Sequence, residues 1–325
     1  MPNDRILSID LVKIIAMYMV LMLHLGVHRN LCTDFDYSPK PFLYSISGIA
    51  VPLFFMVSGY LLSGRTITYK YVLKKIWGII RLCLLVCVLW NIINYIRFDA
   101  FYWDFPLCFI QQGRFGHFWY FGAMMILYML MPGILNVLKK NAVVWLSLLG
   151  IVCFLMFVMD YLYGIEKDYI IQTFRVWYWV FYFSLGVYIR LNPNVVQRVK
   201  CWHLILAMVL YVSSVQLLNT KGIEFHFGDI TCIAYATSAF CMCLKIRQFR
   251  SEAVIKVLSQ CFLPIYALHE ILLGMLVYHE PFISIDGFLP SWVDFGVEYI
   301  LACLSISLIA VGIMKIPYSD RLFRI

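Results

Sequence analysis

Ten stretches of this 325-residue chain are apolar over roughly the length of a bilayer crossing: 6–26, 42–62, 76–96, 118–138, 143–159, 170–189, 202–218, 228–244, 262–278 and 293–316. A hydrocarbon core about 30 Å thick needs roughly 20 apolar residues per helix. In lipid the backbone must satisfy its own hydrogen bonds, so runs of this length fold as membrane-spanning helices. Hydrophobic residues make up 63% of the chain and charged residues 14%, whereas a soluble domain has about half and a quarter. The remainder is too short for a sizeable soluble domain. The expectation is an all-α integral membrane protein, a bundle of about ten transmembrane helices forming a single domain over 1–325.

Cytoplasmic loops retain Lys and Arg, so the cations give the orientation. With the N-terminus inside, the inner side holds Arg5, Arg65, Lys70, Lys74, Lys75, Lys139, Lys140, Arg190, Arg198, Lys200, Lys245, Arg247, Arg250, Lys256, Lys315, Arg321 and Arg324. The outer side has fewer cations, Arg97, Arg114 and Lys167 among them, beside acidic residues such as Asp104, Asp160 and Glu166. The sixth segment contains Arg175, but omitting it would send the cluster from Lys245 to Lys256 outside. Ten spans with both termini cytoplasmic satisfy the rule best. The formal net charge of +8 reflects this loop asymmetry, and no nucleic-acid partner is expected. Arg5 before an apolar run suggests a signal peptide, yet no small-residue cleavage site follows and Asp10 and Lys13 interrupt the run, so it reads as a retained first helix.

Ionisable residues inside a membrane helix are costly, which makes them candidates for function. Asp10 and Lys13 are three residues apart and face one another on the helix surface. His24 lies eleven residues beyond Lys13, almost three full turns, and returns to the same face about 16 Å along the axis. An imidazole accepts a proton near neutral pH. Asp10 is too far to orient it, so the partner of His24 comes from another helix, with His117, Glu270 and Asp294 as candidates. Lys70, Lys74, Lys75 and Arg81 cluster between the second and third helices, suited to phosphates but also to the ordinary inner-loop signal. Ser58 and Gly59 allow close helix approach, and Tyr60 can present a hydroxyl to a cavity. Tyr266, His269 and Glu270 share a ninth helix broken near Pro264.

Most of the eleven cysteines sit in apolar runs without metal-ligand spacing. Cys32 and Cys108 fall in loops of the same face and are able to pair, though nothing in the sequence shows that they do. There is no phosphate-binding lysine loop, dinucleotide glycine fingerprint or HExxH pair, and no metal is expected.

Several segments together resemble the acyltransferase family 3 membrane proteins. They are "RILSIDLVKIIAMYMVLMLH" from Arg5 to His24, "VPLFFMVSGYLL" from Val51 to Leu62, "HFWYFGAMMILYMLMP" from His117 to Pro132, "FYFSLGVYI" from Phe181 to Ile189 and "LPIYALHEIL" from Leu263 to Leu272. The family's basic residue, ten intervening residues and histidine are matched by Lys13 and His24, with lysine where arginine is common; lysine keeps the charge but lacks the planar fork. The resemblance implies a membrane O-acyltransferase, similar to the enterobacterial common antigen O-acetyltransferase, in a bacterial inner membrane. It implies acetyl from cytoplasmic acetyl-CoA as the donor group and a hydroxyl of a surface polysaccharide or lipid-linked glycan as acceptor. Expected catalytic residues are His24, Lys13 and Asp10. Lys74, Lys75 and Arg81 are expected at the acyl-CoA, and His117, Trp119, Glu270 and Tyr60 at the acceptor. A transporter of a polar solute or glycan precursor and a membrane substrate-binding sensor are the competing readings.

Overall fold

The computed structural model describes residues 6–28, 42–65, 67–98, 100–218, 226–278, 291–317, 319 and 323. Among them the structure is helical without strands. In chain order the helices are α1 (Leu7–His28), α2 (Phe42–Ser47), α3 (Ala50–Leu62), α4 (Tyr69–Phe98), α5 (Trp119–Tyr163), α6 (Ile165–Tyr169), α7 (Val176–Leu191), α8 (Pro193–Arg198), α9 (Cys201–Leu218), α10 (Ile230–Lys245), α11 (Glu252–Gln260), α12 (Phe262–Tyr278) and α13 (Ser291–Met314). Among the described residues, six helices are long and apolar enough to cross a membrane, or seven if α11 and α12, bent by 62° at their junction, form one span. Leu148, Leu155, Ile205, Val209, Leu304 and Leu308 are each about half exposed or more. So much outward apolar surface suits lipid rather than water, and the chain is an integral membrane protein.

Every apolar stretch read from the sequence falls on helix, with five differences in where helices begin and end, the first being the division of 42–62 into α2 and α3 at Gly48 and Ile49. The stretch 76–96 is part of a longer helix that starts at Tyr69, so Lys70, Lys74 and Lys75 ride on its first turns instead of a loop. At 1.5 Å per residue α4 is about 45 Å long and exceeds the hydrocarbon thickness. The stretches 118–138 and 143–159 are the two helical halves of α5, joined without a loop and separated at the non-helical backbone of Asn141 (φ −155°, ψ 81°). Asn141 Oδ1 accepts from Val144 N at 3.2 Å and caps the second half. Near its start α5 meets Thr173 at Gly122, and much later Cys153 donates to Trp177 O at 3.6 Å; the chain therefore folds back at Asn141 toward the start of α7. The stretch 170–189 is helical only from Val176, and Arg175 precedes that helix instead of lying within a span. Finally, the break expected near Pro264 sits at Cys261. Pro264 occupies the first turn of α12, where its missing N–H has no helical partner to lose.

The centre of the bundle is α3 against α7. Their axes approach closely because Gly59 and Gly186 carry no side chain: a Cβ on Gly59 would stand 2.0 Å from Phe183 O, and one on Gly186 2.0 Å from Met56 O. The close approach expected of Gly59 is thus present, with Gly186 as its counterpart. Both obstructions are backbone, which cannot rotate away. Gly186→Ala is expected to lower stability by about 1–3 kcal/mol through overpacking, read as a lower thermal midpoint of the purified protein, whereas Gly133→Ala, with open space around it, leaves the midpoint in place.

Before α10 the chain makes a polar turn. Asp229 accepts from Thr231 N at 3.1 Å and Ser214 Oγ at 2.6 Å, and Tyr182 Oη donates to Phe227 O at 2.7 Å. His226 is buried there, and burial pushes its imidazole down to about 4, against the pull of Asp229 and Asp160. A neutral ring in the fold and a titrating one in the unfolded chain (about 6.5) give stability that is complete above pH 6.5. That stability is lost as pH falls toward 4, by roughly 3 kcal/mol at most. His226→Gln is expected to flatten the fall in thermal midpoint between pH 7 and pH 4.5.

Candidate active site

At the end of the bundle where α1 finishes and α3, α5 and α7 begin lies a cavity of about 270 Å³. Its apolar wall includes Val20, Leu23, Val27, Val51, Phe54 and Phe227, and its polar groups include His24, Gln111, His117, Trp119, Tyr120, Gln172 and Tyr266. Local sequence explains the positions. The break between α2 and α3 leaves Gly48 at the wall, where a Cβ would overlap the Tyr211 hydroxyl at 2.0 Å. The segment from Pro106 to Phe118 folds over this end in two 3₁₀ turns, Leu107–Ile110 and Gly116–Phe118. It is tied to the 3₁₀ turn Gln172–Phe174 by Thr173 Oγ1 to Phe109 O at 2.8 Å and Gln172 N to Gln111 Oε1 at 3.0 Å. Behind the cavity Trp179 stacks on Phe55 with centroids 4.8 Å apart, and its indole N–H donates to Gln172 O at 2.7 Å.

His24 reaches this cavity from the last turns of α1, and its Nδ1 is in direct contact with the Glu270 carboxylate of α12. The side chains are 28% and 21% exposed, so the pair is reachable from outside yet mostly withdrawn from water. Of the three expected orienting partners, Glu270 is the one in hydrogen-bond contact. His117 presents its ring with a centroid 6.3 Å from that of His24, and Asp294 lies outside the described side chains. A carboxylate on Nδ1 holds the proton there and leaves Nε2 with a free lone pair, the arrangement of a general base.

His269, one residue before Glu270, packs its ring 4.7 Å from His24 and 4.8 Å from His117. It is fully buried, and its Nδ1 donates to Tyr266 O at 2.7 Å. Tyr266 Oη in turn donates to His117 O at 2.5 Å, fastening α12 to the start of α5. His24, His117, Trp119 and Glu270 are therefore brought to one end of the bundle. His269 belongs to the cluster too, and its signal was the Tyr-x-x-His spacing itself. Gln111, Gln172 and Phe227 had no linear signal, since three separate connections bring them to the rim.

The other expected site residues lie elsewhere. Lys13 and Asp10 pair with each other at 3.2 Å nearer the start of α1 and do not line the cavity. Tyr60 is at the far end of α3, where its hydroxyl accepts from Arg190 Nη1 at 3.1 Å and Arg190 stacks over its ring at 4.9 Å; it is not a wall of the His24 cavity. Lys74 and Lys75 occupy the start of α4 at that same far end, with Lys75 Nζ 5.4 Å from the Tyr71 ring, and Arg81 lies on the exposed side of α4. Ser58 Oγ donates back to Phe54 O at 2.9 Å within its own helix. Cys108 is a buried free thiol; Cys32, its suggested partner, lies outside the described residues.

A family model described as an acyltransferase domain matches residues 6–315. No curated protein and no solved structure matches the chain. The match takes in nearly the whole bundle, from the first turn of α1 to the end of α13, including both partners of the His24 and Glu270 pair. The chain belongs to the acyltransferase 3 family and is a membrane acyltransferase.

Proposed function

We propose that the protein transfers an acetyl group from cytoplasmic acetyl-CoA to a hydroxyl of a cell-surface polysaccharide or lipid-linked glycan, in the inner membrane of a bacterium. The observation that carries this reading is the His24 and Glu270 contact opening on a cavity with an apolar wall and an amide rim. The wall suits a short acyl chain, and Gln111 and Gln172 suit a polyhydroxylated acceptor. His24 Nε2 takes the hydroxyl proton as the alcohol oxygen attacks the thioester carbonyl. The C–S bond then breaks, and the departing thiolate recovers the proton from the imidazolium. Glu270 steadies the cation that exists between those two steps.

In this reading the chain crosses the membrane ten times with both termini cytoplasmic. Support comes from the fold-back of α5 at Asn141, beside Lys139 and Lys140, and from helix at every apolar stretch. The cationic start of α4 then faces the cytoplasm, where Lys74, Lys75 and Arg81 meet the CoA phosphates. Lys13 and Asp10 lie between that entrance and His24, about 16 and 21 Å from the latter along α1, as donor-side or structural partners.

The test is incubation of membranes containing the protein with radiolabelled acetyl-CoA, followed by counting of the glycan fraction. Label in glycan above membranes lacking the protein supports the reading. No label with glycan acceptor present would sink it, and flux of a glycan precursor would be measured next.

A further inference from the structure

The donor atoms of His24, His269 and Glu270 lie within 4.8 Å of one another. His269 has the two features of a ligand in waiting. Its Nδ1–H is committed to the Tyr266 carbonyl at 2.7 Å, so Nε2 carries a lone pair, and that Nε2 is buried without a hydrogen-bond partner. A metal-bound histidine is typically fixed in this way, with the far ring nitrogen donating to a backbone carbonyl. Beside it, neither ring nitrogen of His117 has a hydrogen-bond partner, which adds a second unpartnered imidazole to the cluster.

We propose that His24, His269 and Glu270 bind a divalent transition-metal ion of the zinc class, and that the ion shuts off acyl transfer when it occupies them. The site goes beyond the acyl-transfer reading, and its inhibitory role rests on that reading. Two imidazoles and a carboxylate are a donor set zinc accepts, at about 2.0–2.2 Å from each atom. Tetrahedral zinc separates its ligands by roughly 3.4 Å at such bond lengths, so the most distant donors must close in by up to about 1.4 Å. The partly exposed side chains of His24 and Glu270 have the freedom to do so, while His269 is held by its bond to Tyr266. On binding, the ion replaces the proton shared by His24 and Glu270, and that proton leaves to solvent.

Inhibition follows whichever nitrogen of His24 ligates. If the metal takes Nε2, the lone pair that would accept the hydroxyl proton is gone. If it takes Nδ1, the neutral ring keeps its proton on Nε2 and again has no free lone pair there. The spacing of these residues in the chain gives no hint of the site: His24 is far from His269 and Glu270, and an adjacent His-Glu pair is not a ligand motif by itself.

The experiment uses the full chain purified in detergent with a tag that contains no histidine. Titration with Co²⁺ followed by visible absorption, and with Zn²⁺ followed by calorimetry, is expected to give one ion per chain. His269→Ala and Glu270→Gln should each weaken binding at least tenfold, while His203→Ala, outside the cavity, leaves it unchanged. Size-exclusion profiles matching the wild type identify the variants that are folded, and Tyr266→Phe, which keeps the carbonyl holding His269, should bind normally. Absence of stoichiometric binding, or binding equally strong in His269→Ala and Glu270→Gln, would overturn the site. Zn²⁺ should also block acyl transfer, with recovery on chelation; transfer that persists with the site filled overturns the inhibitory role alone. A protein that binds metal through these residues yet labels no glycan would leave the metal site standing and sink the acyl-transfer reading instead.

Discussion

His24→Ala is expected to reduce turnover by about 10²–10⁴-fold, the usual worth of a positioned general base, with the protein still folded. The fold should tolerate the change because His24 is partly exposed at the cavity and its contact with Glu270 is its main polar tie. Glu270→Gln keeps the shape of the partner and removes its charge. It should lower turnover less, by about 10–100-fold, since the neutral amide can still hold the ring but no longer stabilises the imidazolium. The double variant His24→Ala/Glu270→Gln should be no slower than His24→Ala alone, as expected for residues acting as one unit. Turnover in His24→Ala equal to the wild type would remove His24 from the chemistry.

Much of this arrangement was legible in the chain, for identifiable physical reasons. Segments long enough to cross lipid have to be helical, so hydropathy located the long helices, though not where α4 and α7 begin or where α11 gives way to α12. His24 stood out because a polar ring on a stripe with Asp10 and Lys13 is expensive in a membrane. A shared helical face places side chains in one direction but spreads them along the axis, and α1 carries Lys13 and Asp10 away from the cavity. Tyr60 is likewise carried away from the cavity, since α3 runs from Val51 and Phe54 at the wall toward Arg190 at the opposite end. Arg175 was misread because its charge was counted inside an apolar window, whereas it ends an irregular turn. Glu270 could be named among the partners of His24 but not chosen, because α1 and α12 are far apart in sequence and only packing sets which carboxylate arrives. His269 and the glutamines of the rim likewise depend on tertiary contacts.

Arg175→Met is expected to cost about 3–5 kcal/mol, the price of leaving one member of a buried ion pair unmatched. Arg175 and Glu166 side chains are only 6% and 5% exposed. The guanidinium is 3.7 Å from the Glu166 carboxylate through Nη1, and it also donates to two carbonyls, Glu166 O at 2.7 Å from Nη2 and Ile170 O at 3.0 Å from Nε. Methionine fills the volume but satisfies none of these. Burial pushes the Glu166 carboxyl up from its ordinary value, and the Tyr178 hydroxyl and Arg175 pull it back. A carboxyl raised in the fold contributes stability at low pH and loses it as pH rises through the folded value. Without Arg175 that rise is larger, so the variant should be closest to the wild type near pH 5 and furthest from it near pH 8. Adding Glu166→Gln removes the unmatched charge and should recover part of the lost thermal midpoint, chiefly at the higher pH. The damage also reaches the site. Arg175 directly follows the turn that carries Gln172 to the cavity rim, and the Trp179 indole holds the same turn at Gln172 O. Loosening it should raise KM for the acceptor more than it lowers kcat in the variant that still folds. An Arg175→Met protein with an unchanged midpoint at pH 8 would show that water reaches Glu166 and that the pair is not buried in the membrane-embedded protein.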